Sequence, residues 1–395
     1  MQGFVHPDFW PVSRLLARLT PQQGGGGAAV CIYHRGEKVV DAWSGSRDDT
    51  GDPWREDTVS ISYSTTKGVA STLLHILVDR GLIDYDERAS HYWPEFAEGG
   101  KRDITVRQIL CHEAGLYDIR SMIDDARRML DWEYMTTMLA RAEPVHPPGT
   151  AHGYHGLTYG WLVGEICQRA TERPFQELLR TEVAEPLGLD GLFIGMPESE
   201  LGRRAKLIIP DALRERLDSP RFLAVARTLN RAFAALRMPV DLRGLRQALL
   251  PHGMEDFDFN EDDVARAVIP AANGAFTARS LARMYAALSC GGELDGVRLL
   301  STETLARAIQ RQNTGVGRVV PFPMHWRLGY HRAFLPRGPV PGSFGHFGFG
   351  GSGAWADPKR RLSVALVLNS GVGTPFGDLR IIQMSGAAVR AADRR

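Results

Sequence analysis

The chain has little cysteine, little lysine, no charge excess and no long apolar run. Its four cysteines, Cys31, Cys111, Cys167 and Cys290, lie far apart, form no C-x-x-C pair and sit mostly among apolar neighbours. They are expected as reduced, buried thiols rather than as a disulfide framework. The 47 basic and 46 acidic residues leave a formal charge of +1, so no net field favours nucleic acid or an anionic membrane as partner. Near the end the longest strongly apolar run, Val364 to Leu368, is far short of the ~20 residues that span a bilayer. The first residues, MQGFVHPDFWPVSRLLARL, carry an acidic residue and prolines where an export signal has a basic start and an unbroken apolar core, so a cytoplasmic protein is expected.

What is present is a globular composition: 395 residues, 44% hydrophobic and 24% charged, enough for a sizeable core in one large domain or two lobes. Ala28 to His34 and Lys38 to Trp43 are rich in β-branched and aromatic residues and flank Arg35-Gly36-Glu37, a hairpin signal. Ser352 to Ala356 and Leu362 to Leu368 flank Asp357-Pro358-Lys359-Arg360 in the same way, and Phe376 to Ala392 reads as a closing helix. Strand pairs at both ends of a helical middle predict an antiparallel sheet built from both termini, with a helical lobe inserted. The expected division is 1–85 with 265–395 as the sheet lobe and 86–264 as the insert. Helices are expected over Thr65 to Arg80, Thr105 to Leu110, Met122 to Arg141, Leu157 to Ala170 and Phe175 to Val183. Residues 200 to 250 are arginine-rich, including Arg203, Arg204, Arg214, Arg216, Arg227, Arg231 and Arg237, and Glu255 to Asp263 is acidic. Solvated helix faces with a loop, or a lid over a pocket, both fit this stretch.

Lysine is scarce, five residues against 42 arginines, and Lys67 stands three residues after Ser64 in Ser64-Thr65-Thr66-Lys67. The strand-like Thr58 to Tyr63 gives way here to a helix carrying Val69, Leu73, Ile76 and Leu77 at helical spacing. Positions i and i+3 share one face, which sets the amine beside the hydroxyl. A serine becomes a nucleophile when a base takes its proton, and a desolvated lysine, or a tyrosinate that a lysine stabilises, is such a base. The helix N-terminus favours negative charge developing on the serine oxygen. Ser64 as a simple helix cap with Lys67 in solvent fits the tetrad equally well.

Two further segments join that tetrad: Tyr154-His155-Gly156 within PPGTAHGYHGLTYGWLVGEI, and His346-Phe347-Gly348 within FGHFGFGGSGAWADP. With ITVRQILCHEAGL at 104 to 116 and PAANGAF at 270 to 276, their order and context resemble the serine β-lactamase and penicillin-binding-protein superfamily. The likeness is nearest to family VIII carboxylesterases and class C β-lactamase-like hydrolases, and extends from about residue 28 to residue 370, failing mainly over 200 to 260. It implies a mixed α/β fold of the β-lactamase and D-alanyl-D-alanine-peptidase type.

The resemblance also implies roles. Ser64 would attack an acyl carbonyl, Lys67 would help activate it, and Tyr154 would carry the proton to the leaving group and later from water. A phenol is a poor base near neutral pH unless a cation such as Lys67 stabilises its phenolate. The backbone N–H groups of Ser64 and Phe349 would form an oxyanion hole. His346, Gly348, Gly156, His155 and Asn273 would line the substrate groove. Gly345, Gly348, Gly350, Gly351 and Gly353 would let backbone and substrate approach along the strand.

Two departures from the family pattern matter: Gly156 stands where asparagine is usual, and His346, a weaker and pH-dependent cation, where lysine is usual. Both bear on recognition of β-lactams and D-alanyl peptides, and neither removes nucleophile, base or oxyanion donors. The expected activity is therefore hydrolysis of small carboxylic esters through an acyl-enzyme, with neither metal nor organic cofactor. A β-lactamase or D-alanyl-D-alanine carboxypeptidase, an acyltransferase, and a non-catalytic binding module of the same fold are the alternatives. The expected partner is a small-molecule ester, with no nucleic acid and no membrane; the sequence sets no oligomeric state. Ser352, in a near match to G-x-S-x-G, enters a strand pair rather than a strand-turn-helix. His112-Glu113 lacks the second histidine of H-E-x-x-H, and His152 and His155 have no obvious carboxylate partner, so a zinc site is not expected.

Overall fold

The computed structural model describes residues 1–20, 25–208, 241–336, 338–371 and 378–395. Arg214, Arg216, Arg227, Arg231, Arg237 and the first residues of the Phe376 to Ala392 segment lie outside these. So does most of the stretch read as a solvated face or a lid.

Both ends of the chain build one antiparallel six-stranded sheet. Its order is Gln2–Val5, Glu37–Gly45, Gly27–His34, Leu362–Leu368, Gly353–Asp357 and Phe344–Phe347. Arg35 and Gly36 both take positive φ, as a two-residue hairpin turn requires, and bring His34 opposite Glu37. The termini are joined where Cys31 pairs with Ala365 and Val30 with Leu366.

Side chains alternate between the two faces. Val30, Ile32, Val364 and Leu366 face helices Trp10–Leu19 and Arg380–Ala392. Cys31, Tyr33, Ala365 and Val367 face the larger core with helices Thr65–Asp79 and Ala278–Ser289. Both faces are covered, so these strands read as nearly unbroken apolar runs. All four cysteines are free; Cys290 is only half-buried, unlike the other three. No helix among the described residues is long and apolar enough to cross a membrane.

The insert departs from the expected helices at two places. Met122 to Arg141 is not one helix but Ile119–Met122, a short 3₁₀ turn Ala126–Leu130 and helix Trp132–Arg141. The aspartates break it: Asp125 accepts from the Arg127 N–H, and Asp131 accepts from the Tyr134 N–H, each capping a new start. Phe175 to Val183 is helical to Leu179 and widens to a π turn over Arg180–Ala184. The strand expected over Thr58 to Tyr63 shrinks to Ser60–Ile61, paired with Ala275–Phe276.

Candidate active site

Ser64 stands at the start of helix Thr65–Asp79, and the residue before it, Tyr63, takes a left-handed φ of 46°. That conformation is costly for a tyrosine, and it turns the chain sharply from strand into helix. The Ser64 hydroxyl makes no capping bond, so the helix-cap reading does not hold. The end of strand Phe344–Phe347 closes on the same turn. A Cβ at Gly348 would collide with the Ser62 carbonyl, so only glycine permits this approach.

Lys67 is wholly buried. Its Nζ lies 3.0 Å from Ser64 Oγ, 2.6 Å from the Gly156 carbonyl and 2.9 Å from the Ala271 carbonyl. Burial holds its pKa well below the ordinary lysine value. Carbonyl oxygens only accept, so two Nζ hydrogens point at Gly156 and Ala271. In the neutral amine that leaves the lone pair facing Ser64. The solvated lysine of the alternative reading is therefore excluded.

Tyr154 donates its hydroxyl to Ser64 Oγ at 2.7 Å, and Lys67 Nζ lies 5.0 Å from its ring centre. Burial pushes its pKa up, only partly offset by the bond to Ser64. Burial thus favours the neutral phenol, a point the sequence left open between Tyr154 and Lys67.

The loop that carries Tyr154 is held by the backbone of the 112–116 turn. Gly153 N–H donates to the His112 carbonyl at 2.9 Å, His155 N–H to His112 Nδ1 at 3.2 Å, and Leu116 N–H to His155 Nε2 at 2.9 Å. His155 is completely buried in this arrangement. It fixes the loop and does not line the groove, which corrects the expectation for it. Trp326 stacks on Tyr154 with ring centres 5.7 Å apart and planes 9° apart, and His112 meets the same ring edge-on at 5.1 Å. Trp326 drew no attention in the sequence, because a tryptophan in a loop carries no spacing signal, and His112 was weighed there only as a zinc ligand and set aside.

Asn273 is also corrected. It is fully buried, and its amide donates to the Val264 and Ala267 carbonyls at 2.8 and 2.7 Å while accepting from the Ile269 N–H at 3.1 Å. The segment was the right one, but its contribution to the site is the Ala271 carbonyl. Close packing sets that carbonyl in place: a Cβ on Gly160 would stand 2.5 Å from Ala271 N and 2.6 Å from the Pro270 carbonyl carbon.

Gly156 supplies its own carbonyl to Lys67, and there is no room for a side chain on it. A Cβ would overlap Leu249 and stand 2.6 Å from the Ala248 carbonyl, both on helix Leu242–Leu249. His346 is buried, with Nδ1 3.0 Å from the Phe347 carbonyl, so Nδ1 carries the proton and Nε2 presents a lone pair. Burial, then His331 and Lys67, hold its pKa well below the usual histidine value. It is a neutral imidazole and not the weak cation expected. Gly348 donates its N–H to the Ser352 carbonyl at 2.8 Å and so offers no free donor to a ligand. Among the described residues the N–H groups of Ser64 and Phe349 donate to no protein acceptor.

A serine–lysine–tyrosine cluster with its lysine buried and its serine and tyrosine half-buried, at the seam between an antiparallel sheet made from both termini and the helices between them, fits a β-lactamase and penicillin-binding-protein-like fold. The family described as Beta-lactamase matches residues 12–388, and the chain belongs to it. The Esterase/beta-lactamase LipL of Mycobacterium tuberculosis is 38% identical over 371 residues, 93% of this chain and 82% of that protein. A family VIII carboxylesterase of known structure superposes with a TM-score of 0.83 at 33% identity, covering 99% of each chain. A penicillin-binding-protein homologue from Caulobacter crescentus gives the same values.

Proposed function

We propose that this chain is a serine carboxylesterase that hydrolyses small esters through an acyl-enzyme on Ser64. The observation that carries the reading is the set of contacts around Lys67: two carbonyls hold its hydrogens and the remaining direction faces the serine hydroxyl. Ser64 gives its proton to Lys67 as its oxygen bonds the ester carbon. The carbonyl oxygen takes up the displaced electron pair, and the Ser64 and Phe349 N–H groups receive it. Oxyanion donors of this kind contribute about 3 kcal/mol each. When the ester C–O bond breaks, Tyr154 protonates the departing alkoxide and the proton on Lys67 restores the phenol. Water then enters and gives a proton to the same pair as its oxygen bonds the acyl carbon; the bond to Ser64 breaks, and the pair returns that proton to Ser64 Oγ, releasing the acid.

Two features favour esters over β-lactams and D-alanyl peptides. The position of a motif-two amide is occupied by helix Leu242–Leu249, and His346 is neutral where a carboxylate-bearing substrate calls for a cation. LipL carries both names, which keeps lactam cleavage as the competing activity to measure. The test is a comparison of kcat/KM for nitrophenyl esters of short and long acids, a chromogenic cephalosporin and a D-alanyl-D-alanine peptide. The esters are expected to lead. Faster cephalosporin opening overturns the ester assignment, and a fluorophosphonate adduct on a residue other than Ser64 overturns the mechanism.

A further inference from the structure

Tyr154 is fixed through its two neighbours in the chain, and a single residue binds both. The Gly153 N–H donates to the His112 carbonyl at 2.9 Å, and the His155 N–H donates to His112 Nδ1 at 3.2 Å. Main chain and side chain of His112 therefore hold the loop before and after the phenol. An Nδ1 that accepts is a lone pair, which places the proton of a neutral imidazole on Nε2. His112 is buried, and burial holds its pKa well below the usual histidine value, so the neutral form is the one present.

The backbone at this position is shaped for the task. His112 takes a left-handed φ of 64°, a conformation that histidine and asparagine tolerate better than most residues with a Cβ. Its ring meets Tyr154 edge-on at 5.1 Å and Trp326 at 4.3 Å, and lies 4.9 Å from Tyr159 on helix Thr158–Thr171. The loop also lies close on Tyr117, since a Cβ at Gly153 would stand 2.3 Å from Tyr117 Cε1. Among the described residues His112 hydrogen-bonds to neither Ser64 nor Lys67.

We propose that His112 is a positioning residue that aims the Tyr154 hydroxyl at Ser64 Oγ, and that proton delivery to the departing alcohol depends on it. This rests on the hydrolase reading above and adds a residue to its machinery. An aliphatic alkoxide departs only as it gains a proton, whereas 4-nitrophenolate is a stable anion that departs without one. Loss of the His112 contacts therefore falls on alkyl esters far more than on nitrophenyl esters.

The test compares kcat/KM for ethyl butyrate and 4-nitrophenyl butyrate in the wild type, His112→Gly and His112→Asn, with and without Tyr154→Phe. Glycine accepts the left-handed φ and removes the acceptor; asparagine accepts it and keeps an oxygen where Nδ1 stood. His112→Gly is expected to lower kcat/KM about 30-fold or more on the ethyl ester and no more than about threefold on the nitrophenyl ester. His112→Asn is expected to return the ethyl ester to within about fivefold of wild type, and in Tyr154→Phe the glycine change is expected to cost less than about threefold more. Thermal melts report whether each variant is folded. Nitrogen NMR of the wild-type imidazole gives a reading that needs no variant to fold: a bare Nδ1 with a protonated Nε2 is expected, and a protonated Nδ1 overturns the proposal. Equal losses on the two esters, a folded asparagine variant no better than the glycine one, or a full loss that persists in Tyr154→Phe overturns it while ester hydrolysis stands. Failure of both esters in the wild type, with no fluorophosphonate adduct on Ser64, overturns the hydrolase reading and this proposal together.

Discussion

Lys67 Nζ lies 3.0 Å from Ser64 Oγ, and its two other contacts, Gly156 and Ala271, are carbonyls that can only accept. An amine so placed acts as a base only when neutral, and burial lowers its pKa toward that state. Protonation at acid pH puts a third hydrogen where the lone pair faced the serine. Followed from about pH 5 to 9, kcat/KM is therefore expected to be higher on the alkaline side, the direction that the lowered lysine pKa gives. Lys67→Arg is expected to lose about 100-fold or more across that whole range, because guanidinium stays charged. An arginine variant that kept the wild-type profile would show that Lys67 is not the base.

Removing the nucleophile separates chemistry from folding. The Ser64 hydroxyl caps no helix, and among the described residues its bonds run only to Lys67 and Tyr154. Ser64→Ala is expected to bring turnover to background while unfolding free energy changes by less than about 1 kcal/mol. A large fall in thermal midpoint would instead mark this hydroxyl as a structural tie.

Trp326 is buried and lies nearly parallel to Tyr154, 5.7 Å away, with His112 against the edge of the same tyrosine. It bonds neither to Ser64 nor to Lys67, so it acts by holding the phenol in line with Ser64 Oγ. Trp326→Ala is expected to lower kcat about tenfold or more with KM little changed, and Trp326→Phe to restore most of it. If Phe and Ala lose activity equally, stacking is not what positions Tyr154.

The parts legible in the sequence were those written in side-chain type and period. Val30, Ile32, Val364 and Leu366 alternate as strands do, Arg35-Gly36 marks its hairpin, and Ser64 with Lys67 is a pair that only a helix brings together. Backbone contributions left no such trace. Any residue has a carbonyl, so PAANGAF drew attention to the side chain of Asn273 while the atom near Lys67 belongs to Ala271. The left-handed φ of Tyr63 is set by strand and helix meeting around it, and tyrosine itself gives no hint of it. Asp131 capping a new helix outweighed the apolar spacing that ran through it. The neutrality of His346 follows from burial against His331, a neighbour 15 positions earlier in the chain, and residue type alone says nothing of that.

Histidines held neutral in the interior also set how the fold meets acid. His75 is wholly buried, with Nε2 3.0 Å from the Leu328 carbonyl and Nδ1 2.8 Å from the Tyr85 hydroxyl, and burial lowers its pKa to about 3. Burial takes His155 to about 3 and His331 to about 4 in the same way. Above the unfolded value near 6.5 neither state is charged, and the stabilisation is complete. As pH falls below it, the unfolded chain takes up protons that the folded chain refuses until pH 3 to 4, so stability drops by about 1.4 kcal/mol per pH unit for each group. Urea midpoints are therefore expected to fall steeply between about pH 6.5 and 4.5. His75→Gln, whose amide can bond both Leu328 and Tyr85 without titrating, is expected to make that fall shallower by roughly one proton's worth of slope. A wild-type midpoint that stayed level over this interval would mean that these imidazoles titrate alike in both states.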